Sequence, residues 1–467
     1  MAHVVIVGGG PGGYEAALVA ASVGAEVTVI ERQGLGGNAV LTDVVPSKTV
    51  IATAEWLTIA DRAPQLGIRD SQGPDAGAHT VDLAAVNARV AQLARKQSDD
   101  IATRLERSNV EVITGQARLE GGGVVRVGQR QLQPDYTILA VGARPRVLDG
   151  CVSDGQRILT WTQLYGLTEL PEHLVVVGSG VTGAEFAGAY LTLGSRVTLI
   201  SSGERVLARE DPEAAQYVQQ EFARRGMTVL GGQRARRVVN TGSGVQVELA
   251  DGAVVEGSHC LMAVGSVPNT EGLGLDAAGV RLTGAGYIEV DRVSRTSAQG
   301  IYAAGDCTGV LPLASVAATQ GRIAVAHALG DAVAPLELGT VATNVFTLPE
   351  IASVGASEAD LRARGIFYEV ARIDLARNPR AKMLGIDAGF VKVFGHTVTG
   401  QVLGAVVVGP RAGEHIFPLT LAVTHHLTVD DVASAFTVYP SLAGSIAEAA
   451  RTLHTMREPA KKTANPQ

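Results

Sequence analysis

Sulfur is scarce in this chain. Its 467 residues include three cysteines, Cys151, Cys260 and Cys307, too far apart for a C-x-x-C redox or zinc motif or for a disulfide framework. They read as small buried hydrophobes. Basic charge is also thin: 39 Lys and Arg stand against 46 Asp and Glu, giving a net charge of -7 and a pI near 5.8. No positive field exists to condense on nucleic acid or an anionic bilayer. Apolar runs such as Val4 to Val7 and Leu174 to Val177 fall far short of the ~20 residues of a bilayer crossing, and the N-terminus has no basic leader region. None of the ten histidines has a metal-ligand spacing, His425 and His426 pointing apart on a predicted helix, so no metal is expected. A cytoplasmic protein is expected, without nucleic-acid partners or a membrane span.

What the chain does have is an internal echo. VVIVGGGPGGYEAALVAASVGAEVTVIE from Val4 matches LVVVGSGVTGAEFAGAYLTLGSRVTLIS from Leu174, an offset of 170 residues. Each copy has a β-branched run, a glycine cluster, a small-residue helical stretch and a second β-branched run, the βαβ opening of a parallel doubly wound sheet. Each is followed by a returning strand that ends in a glycine turn, ILAVGARP from Ile138 and LMAVGSVP from Leu261. Ala54 to Ser108 has helical spacing and is expected to attach to the first unit. From about Thr340 alternating apolar strands mark a separate α+β domain, with helices near Glu414 to His426 and Ser441 to Leu453. The polar end, EPAKKTANPQ, reads as disordered.

Gly8-x-Gly10-x-x-Gly13 directly follows a strand and opens a helix, the context that makes this pattern specific for dinucleotides. The first glycine makes the turn, the second admits a pyrophosphate and the third lets helix and strand pack closely. The phosphate meets the positive end of the helix. Glu31 closes the second strand, where a carboxylate accepts hydrogen bonds from a ribose, with Arg32 next to it. Gly178-x-Gly180-x-x-Gly183 repeats the pattern, and the same offset carries Glu31 onto Ser201. A carboxylate there would repel a 2′-phosphate; Ser201 and Ser202, with Arg205 and Arg209 nearby, permit NADPH and leave NADH open.

Two such sites followed by GIYAAGD resemble the flavoprotein disulfide reductases, the family of dihydrolipoamide dehydrogenase and glutathione reductase. The segments that carry the resemblance include the first glycine loop, GG...PSK at Gly36 to Lys48, the AVG turns, GSGVTGAEFA, YAAGD, FTLPEIASVG, NPRAKM and VLGAVVVGP. It implies two Rossmann-like domains and a C-terminal dimerisation domain: FAD on 1–148 and 275–337, NAD(P)H on 149–274, a homodimer interface on 338–455 and a tail from 456 to 467. FAD would lie against Gly37, Gly142 and Gly305 as well as the first loop. Asp306 would hydrogen-bond its ribityl chain, and the helix that starts at Leu313 and Ala314 would turn its N-terminus to the flavin pyrimidine oxygen. NAD(P)H would meet Gly265 in addition to the second loop. Lys48 and Glu185 carry over as an ion pair beside flavin N5 and the nicotinamide, a cation there helping the flavin accept a hydride.

Two sulfur atoms are missing from this pattern. The family places C-x-x-x-x-C immediately before V/I-P-S-K, one thiolate facing the flavin and the other the substrate. Those positions here are Ala39 and Val44. The family's His-Pro-Thr-x-x-Glu element corresponds to YPSLAG, so that Tyr439 replaces its histidine and Gly444 its glutamate. The thiols and the relay that would activate them are absent together, while the cofactor features stay. The expected activity is therefore that of an NAD(P)H:quinone oxidoreductase: hydride passes from NAD(P)H beside Glu185 to the flavin beside Lys48, and a quinone or dye takes the electrons directly. Tyr439 either donates a hydrogen bond to a quinone oxygen or fills the histidine's space. Flavin-mediated transhydrogenation between NADPH and NADH, and a redox-sensing binding role with little turnover, are the alternatives. Dihydrolipoamide dehydrogenase activity is the least compatible with the residues.

Overall fold

The run after Ala2 becomes the strand His3–Val7, buried from Val4 onward, as a parallel strand covered on both faces must be. The computed structural model describes residues 1–68 and 79–463. It sets this strand at the centre of a five-stranded parallel sheet, in the order Ile301–Ala303, Tyr136–Leu139, His3–Val7, Glu26–Glu31, Glu111–Thr114. Winding reverses between His3–Val7 and Tyr136–Leu139, which is the switch point where α/β sheets receive ligands. The helix Pro11–Ser22 leaves from that point and buries only Gly and Ala. Its flank is so small that the helix Ala314–Ala328 comes nearly into backbone contact: a Cβ at position 321 would lie 2.1 Å from the carbonyl oxygen of Gly12.

These elements lie in one of two compact units, formed by Met1–Val50, Asp82–Glu169 and Leu261–Glu337. The other is formed by Ile51–Val81, Leu170–Cys260 and Leu338–Gln467. In the second unit the echo folds as its partner does. His173–Val177 pairs in parallel with Arg196–Ile200, in the register that His3–Val7 takes on Glu26–Glu31. Even the cross-strand side chains repeat: His3 Nε2 lies 3.1 Å from Thr28 Oγ1, and His173 Nε2 lies 2.9 Å from Thr198 Oγ1. The parallel strand Thr228–Leu230 and the antiparallel sheet Ala235–Asn240, Val245–Leu249, Val254–Gly257 extend this half.

The α+β texture from Thr340 resolves into an antiparallel sheet in the order Thr343–Val345, Glu350–Gly355, Val402–Gly409, Phe390–His396, Tyr368–Asp374. Val391, Val393, Val407, Leu419 and Leu453 build its core, the inward positions of alternating strands closed by helices.

Three expectations change. The helices of the Ala54 to Ser108 stretch are Val44–Arg62 and Leu83–Arg107, but 51–81 belongs to the second unit and not the first; Glu55 pairs with Arg411 at 3.6 Å there, a long-range contact that local spacing does not encode. The C-terminal helix runs Gly444–Thr463, into the segment read as a tail, where Met456, Arg457, Glu458 and Ala460 are good helix formers; 464–467 lie outside the described residues. His425 and His426 lie beyond the helix Phe417–Thr424, and His426 takes a left-handed φ of 55°. Among the described residues no helix is long and apolar enough to cross a membrane.

Candidate active site

At the first loop Gly8 has φ +104°, and a Cβ there would lie 2.3 Å from the carbonyl oxygen of Ala140. A side chain at Gly13 would strike the Gly8 carbonyl oxygen at 1.9 Å. Gly10 differs. Its φ of -70° and ψ of -175° suit any residue, and nothing lies within 4 Å of where its Cβ would stand. Glycine at 10 leaves open the space in front of the helix Pro11–Ser22, the place for a pyrophosphate. Glu31 lines that space: one carboxylate oxygen accepts the Gly9 N–H at 2.7 Å, and the other accepts the N–H groups of Arg32 and Gln33 at 2.7 and 2.6 Å. Arg32 contributes that N–H and is itself exposed.

Two asparagines that the sequence reading missed organise the rest of this half. Asn38 Nδ2 donates to the Ala143 carbonyl at 2.6 Å, and Asn269 Nδ2 donates to Val141 at 3.0 Å. Together they fasten the Gly142 turn, where φ is +65°, to the Gly37 segment on one side and the second AVG turn on the other. Gly265 belongs to this unit; its carbonyl accepts the Arg146 N–H at 3.0 Å, and Ser266–Pro268 pairs with Ala143–Pro145. Gly305 donates to the buried Gln320 Oε1 at 2.8 Å and presents Asp306. Burial, with Asp43 adding like charge, pushes the Asp306 carboxyl up to about 6. Lys48 stands half-buried on the helix Val44–Arg62.

Ala39 lies in the short helix Gly37–Leu41 and Val44 opens the next one, both half-buried. Neither offers sulfur. The cysteine next to Asp306, Cys307, is fully buried with its thiol donating to the Ala304 carbonyl at 3.3 Å. Burial pushes that thiol up to about 12, so it is neutral and inert near neutral pH.

In the second unit Gly178 has φ +107°, and Gly180, like Gly10, has nothing within 4 Å of its Cβ position; Gly183 is buried in the first turn of Val181–Leu193. Ser201 behaves differently from the expectation. It is fully buried, accepts from Ser179 Oγ at 2.7 Å and donates to the Gly203 carbonyl at 2.8 Å. Its hydroxyl stitches the loop, while Ser202 is exposed and Arg205 half-buried. Glu185 is 2% exposed and accepts the Phe346 backbone N–H at 2.9 Å, a partner no local pattern signals. Tyr439 is 83% exposed, beside Phe436 and Val438, also exposed; within the chain it fills no space.

The helices starting at Asp82, Asp211, Ser357, Asn378 and Thr428 are capped by those side chains. The helices after Gly10, Gly180 and Leu313 have no side-chain cap, as is also true of Gly37–Leu41, Ala412–His415 and Phe417–Thr424. A helix end needs some partner for its first N–H groups, and a bound phosphate would supply one after Gly10 and Gly180. The first loop, the Glu31 carboxylate and the uncapped ends thus fit FAD.

Gly10→Ala should fold normally and lose FAD, read as the flavin-to-protein absorbance ratio. Gly180→Ala should keep FAD and raise KM for NAD(P)H by about tenfold or more, roughly 1.4 kcal/mol of lost binding; retention of full FAD by Gly10→Ala would contradict the loop's role. A raised acid binds its proton more readily in the folded chain. In FAD-free protein Asp306 therefore contributes stability that is full below about pH 3.9 and lost as pH rises through about 6. Melting curves of wild type and Asp306→Asn should shift toward the variant over that window; parallel curves would count against the buried carboxyl.

Residues 2–321 match the family model described as pyridine nucleotide-disulphide oxidoreductase, and residues 341–450 match its dimerisation domain. A protein of Mycobacterium tuberculosis named NAD(P)H dehydrogenase (quinone) is 50% identical over 465 residues, covering 97% of this chain and 94% of that protein. Dihydrolipoyl dehydrogenase of Chlorobaculum parvum is 35% identical over 456 residues, 96% of each. Among solved structures, LpdA from Mycobacterium tuberculosis superimposes with a TM-score of 0.92 at 49% identity, covering 97% of this chain and 100% of that one. With both glycine loops, the doubly wound halves and the dimerisation domain in place, the chain belongs to the pyridine nucleotide-disulphide oxidoreductase family.

Proposed function

We propose that this flavoprotein oxidises NAD(P)H and delivers the electrons to a quinone-like acceptor with no cysteine relay. The observation that carries the reading is the pair Ala39 and Val44 at the two positions where a redox disulfide would stand, while the three cysteines, Cys151, Cys260 and Cys307, lie elsewhere and are buried. The relative named as a quinone dehydrogenase supports it. Those named dihydrolipoyl dehydrogenase share the fold, but the residues here lack the sulfur a dithiol exchange needs.

FAD, when bound, supplies the two-electron chemistry, and the protein supplies position and electrostatics. The loop at Gly8 to Gly13 and its helix end hold the pyrophosphate, Glu31 accepts from the ribose, and Asp306 accepts from the ribityl chain. The uncapped end at Leu313 and Ala314 offers N–H groups to a flavin oxygen. Lys48 brings a cation to the flavin's reactive edge, and Glu185, held by the Phe346 N–H, orients the nicotinamide. Small apolar Ala39 and Val44 leave a flat acceptor room to approach. Tyr439, with Phe436 and Val438, forms an exposed apolar strip that a second copy of the chain covers in a homodimer; it is not required for the chemistry.

Purified yellow protein should turn over benzoquinones with NADPH or NADH and show no lipoamide reduction above background. Robust lipoamide reduction, or no quinone turnover with either nucleotide, would overturn the reading. Lys48→Ala should retain FAD yet slow its bleaching by NAD(P)H by roughly two orders of magnitude, about 2.7 kcal/mol of electrostatic stabilisation; unchanged stopped-flow traces would remove its role.

A further inference from the structure

The segment after the second glycine loop is tied to the C-terminal sheet by a buried ion pair. Beyond Arg196–Ile200 the chain passes Ser202 and Arg205 with no helix or strand of its own until Asp211. Asp211 caps the helix Pro212–Arg224, its Oδ1 accepting the N–H groups of Glu213 and Ala214 at 3.0 and 3.1 Å. The same carboxylate receives Lys392 Nζ at 3.0 and 3.1 Å, and that ammonium also meets Glu213 Oε2 at 2.8 Å. Lys392 comes from the strand Phe390–His396, and its side chain and that of Asp211 are each 6% exposed.

The surroundings are built for this contact. Arg372, opposite Lys392 on the neighbouring strand, binds Glu213 and Asp374 and covers the Phe390 ring at 4.6 Å. Lys392 lies 5.6 Å from the same ring centre. One helical turn on, Tyr217 accepts the Gly389 N–H at 2.9 Å. A lysine this deep is a poor source of stability, because desolvation offsets its Coulomb gain; fixing one geometry is the best-attested use of such a pair.

What it fixes is the start of the helix that holds the loop. Within 201–211 the Gly203 carbonyl accepts the Gly232 N–H at 3.0 Å, and the Leu207 N–H donates to the Ser179 carbonyl at 2.9 Å. The Val206 N–H donates to Gln219 Oε1 at 3.0 Å, on the helix Pro212–Arg224 that Asp211 caps, and Lys392 ties that helix start to the C-terminal sheet. The connection after the second strand of a dinucleotide fold is where a ribose lies. We propose that Lys392, which lies outside both glycine loops, is a positioning residue for the nicotinamide nucleotide: through Asp211 it holds 201–211 in the shape that receives the adenosine ribose. This rests on the reading that the second glycine loop binds NAD(P)H.

Lys392→Met in the FAD-loaded protein tests it, with NADP+ and NAD+ titrated against the flavin absorbance. The dissociation constants, and KM for NAD(P)H, should rise about tenfold, while kcat at saturating nucleotide and FAD content stay within about twofold of wild type. Lys392→Met with Asp211→Asn leaves no charge buried alone, and asparagine keeps the helix cap; this double variant should fold as wild type does and show the same rise. A single or double variant that melts lower yet binds both nucleotides as tightly as wild type would overturn the proposal. Wild type that binds neither nucleotide would instead overturn the reading beneath it.

Discussion

The structure depends on helix ends whose backbone N–H groups meet no side chain. A helix must find partners for its first N–H groups, and at five other helices this chain supplies Asp, Ser, Asn or Thr for the purpose. At Gly10, Gly180 and Leu313 it does not. Glycine at 10 and 180 leaves room for a phosphate to take the cap's place, and the small flank Gly12, Gly13, Ala16, Ala17 and Ala20 lets the first of these helices press onto the helix at Ala314. The same small residues thus serve the packing of the core and the proposed cofactor site.

Against that retained frame, the chemistry of the flavin-side segment is reduced. Ala39 and Val44 keep the helical geometry around Lys48 while removing thiol exchange. A buried, neutral Cys307 does not replace it. In the proposed function a planar acceptor would take electrons by contact with the flavin, a route that needs no thiol.

Much of this was legible in the sequence. The echo at Val4 and Leu174 fixes two parallel βαβ starts because period, glycine spacing and strand length agree over the whole copy, and even the His3–Thr28 pair recurs as His173–Thr198. What escaped are contacts between residues distant in sequence: Asn38 and Asn269 on the Gly142 turn, the Phe346 N–H on Glu185, Lys392 on Asp211, and the membership of 51–81 in the second unit. Ser201 directly follows the second strand of its unit, where the offset implies, but the bonds of its hydroxyl to Ser179 and Gly203 depend on neighbours that the strand pattern does not signal.

The most direct measurement removes sulfur altogether. A variant with Cys151, Cys260 and Cys307 changed to alanine, loaded with FAD and reduced by one equivalent of NADPH in a stopped-flow cell, should be reoxidised by a benzoquinone at the wild-type rate. Recovery that collapses in the cysteine-free protein while its flavin content is unchanged would contradict direct transfer.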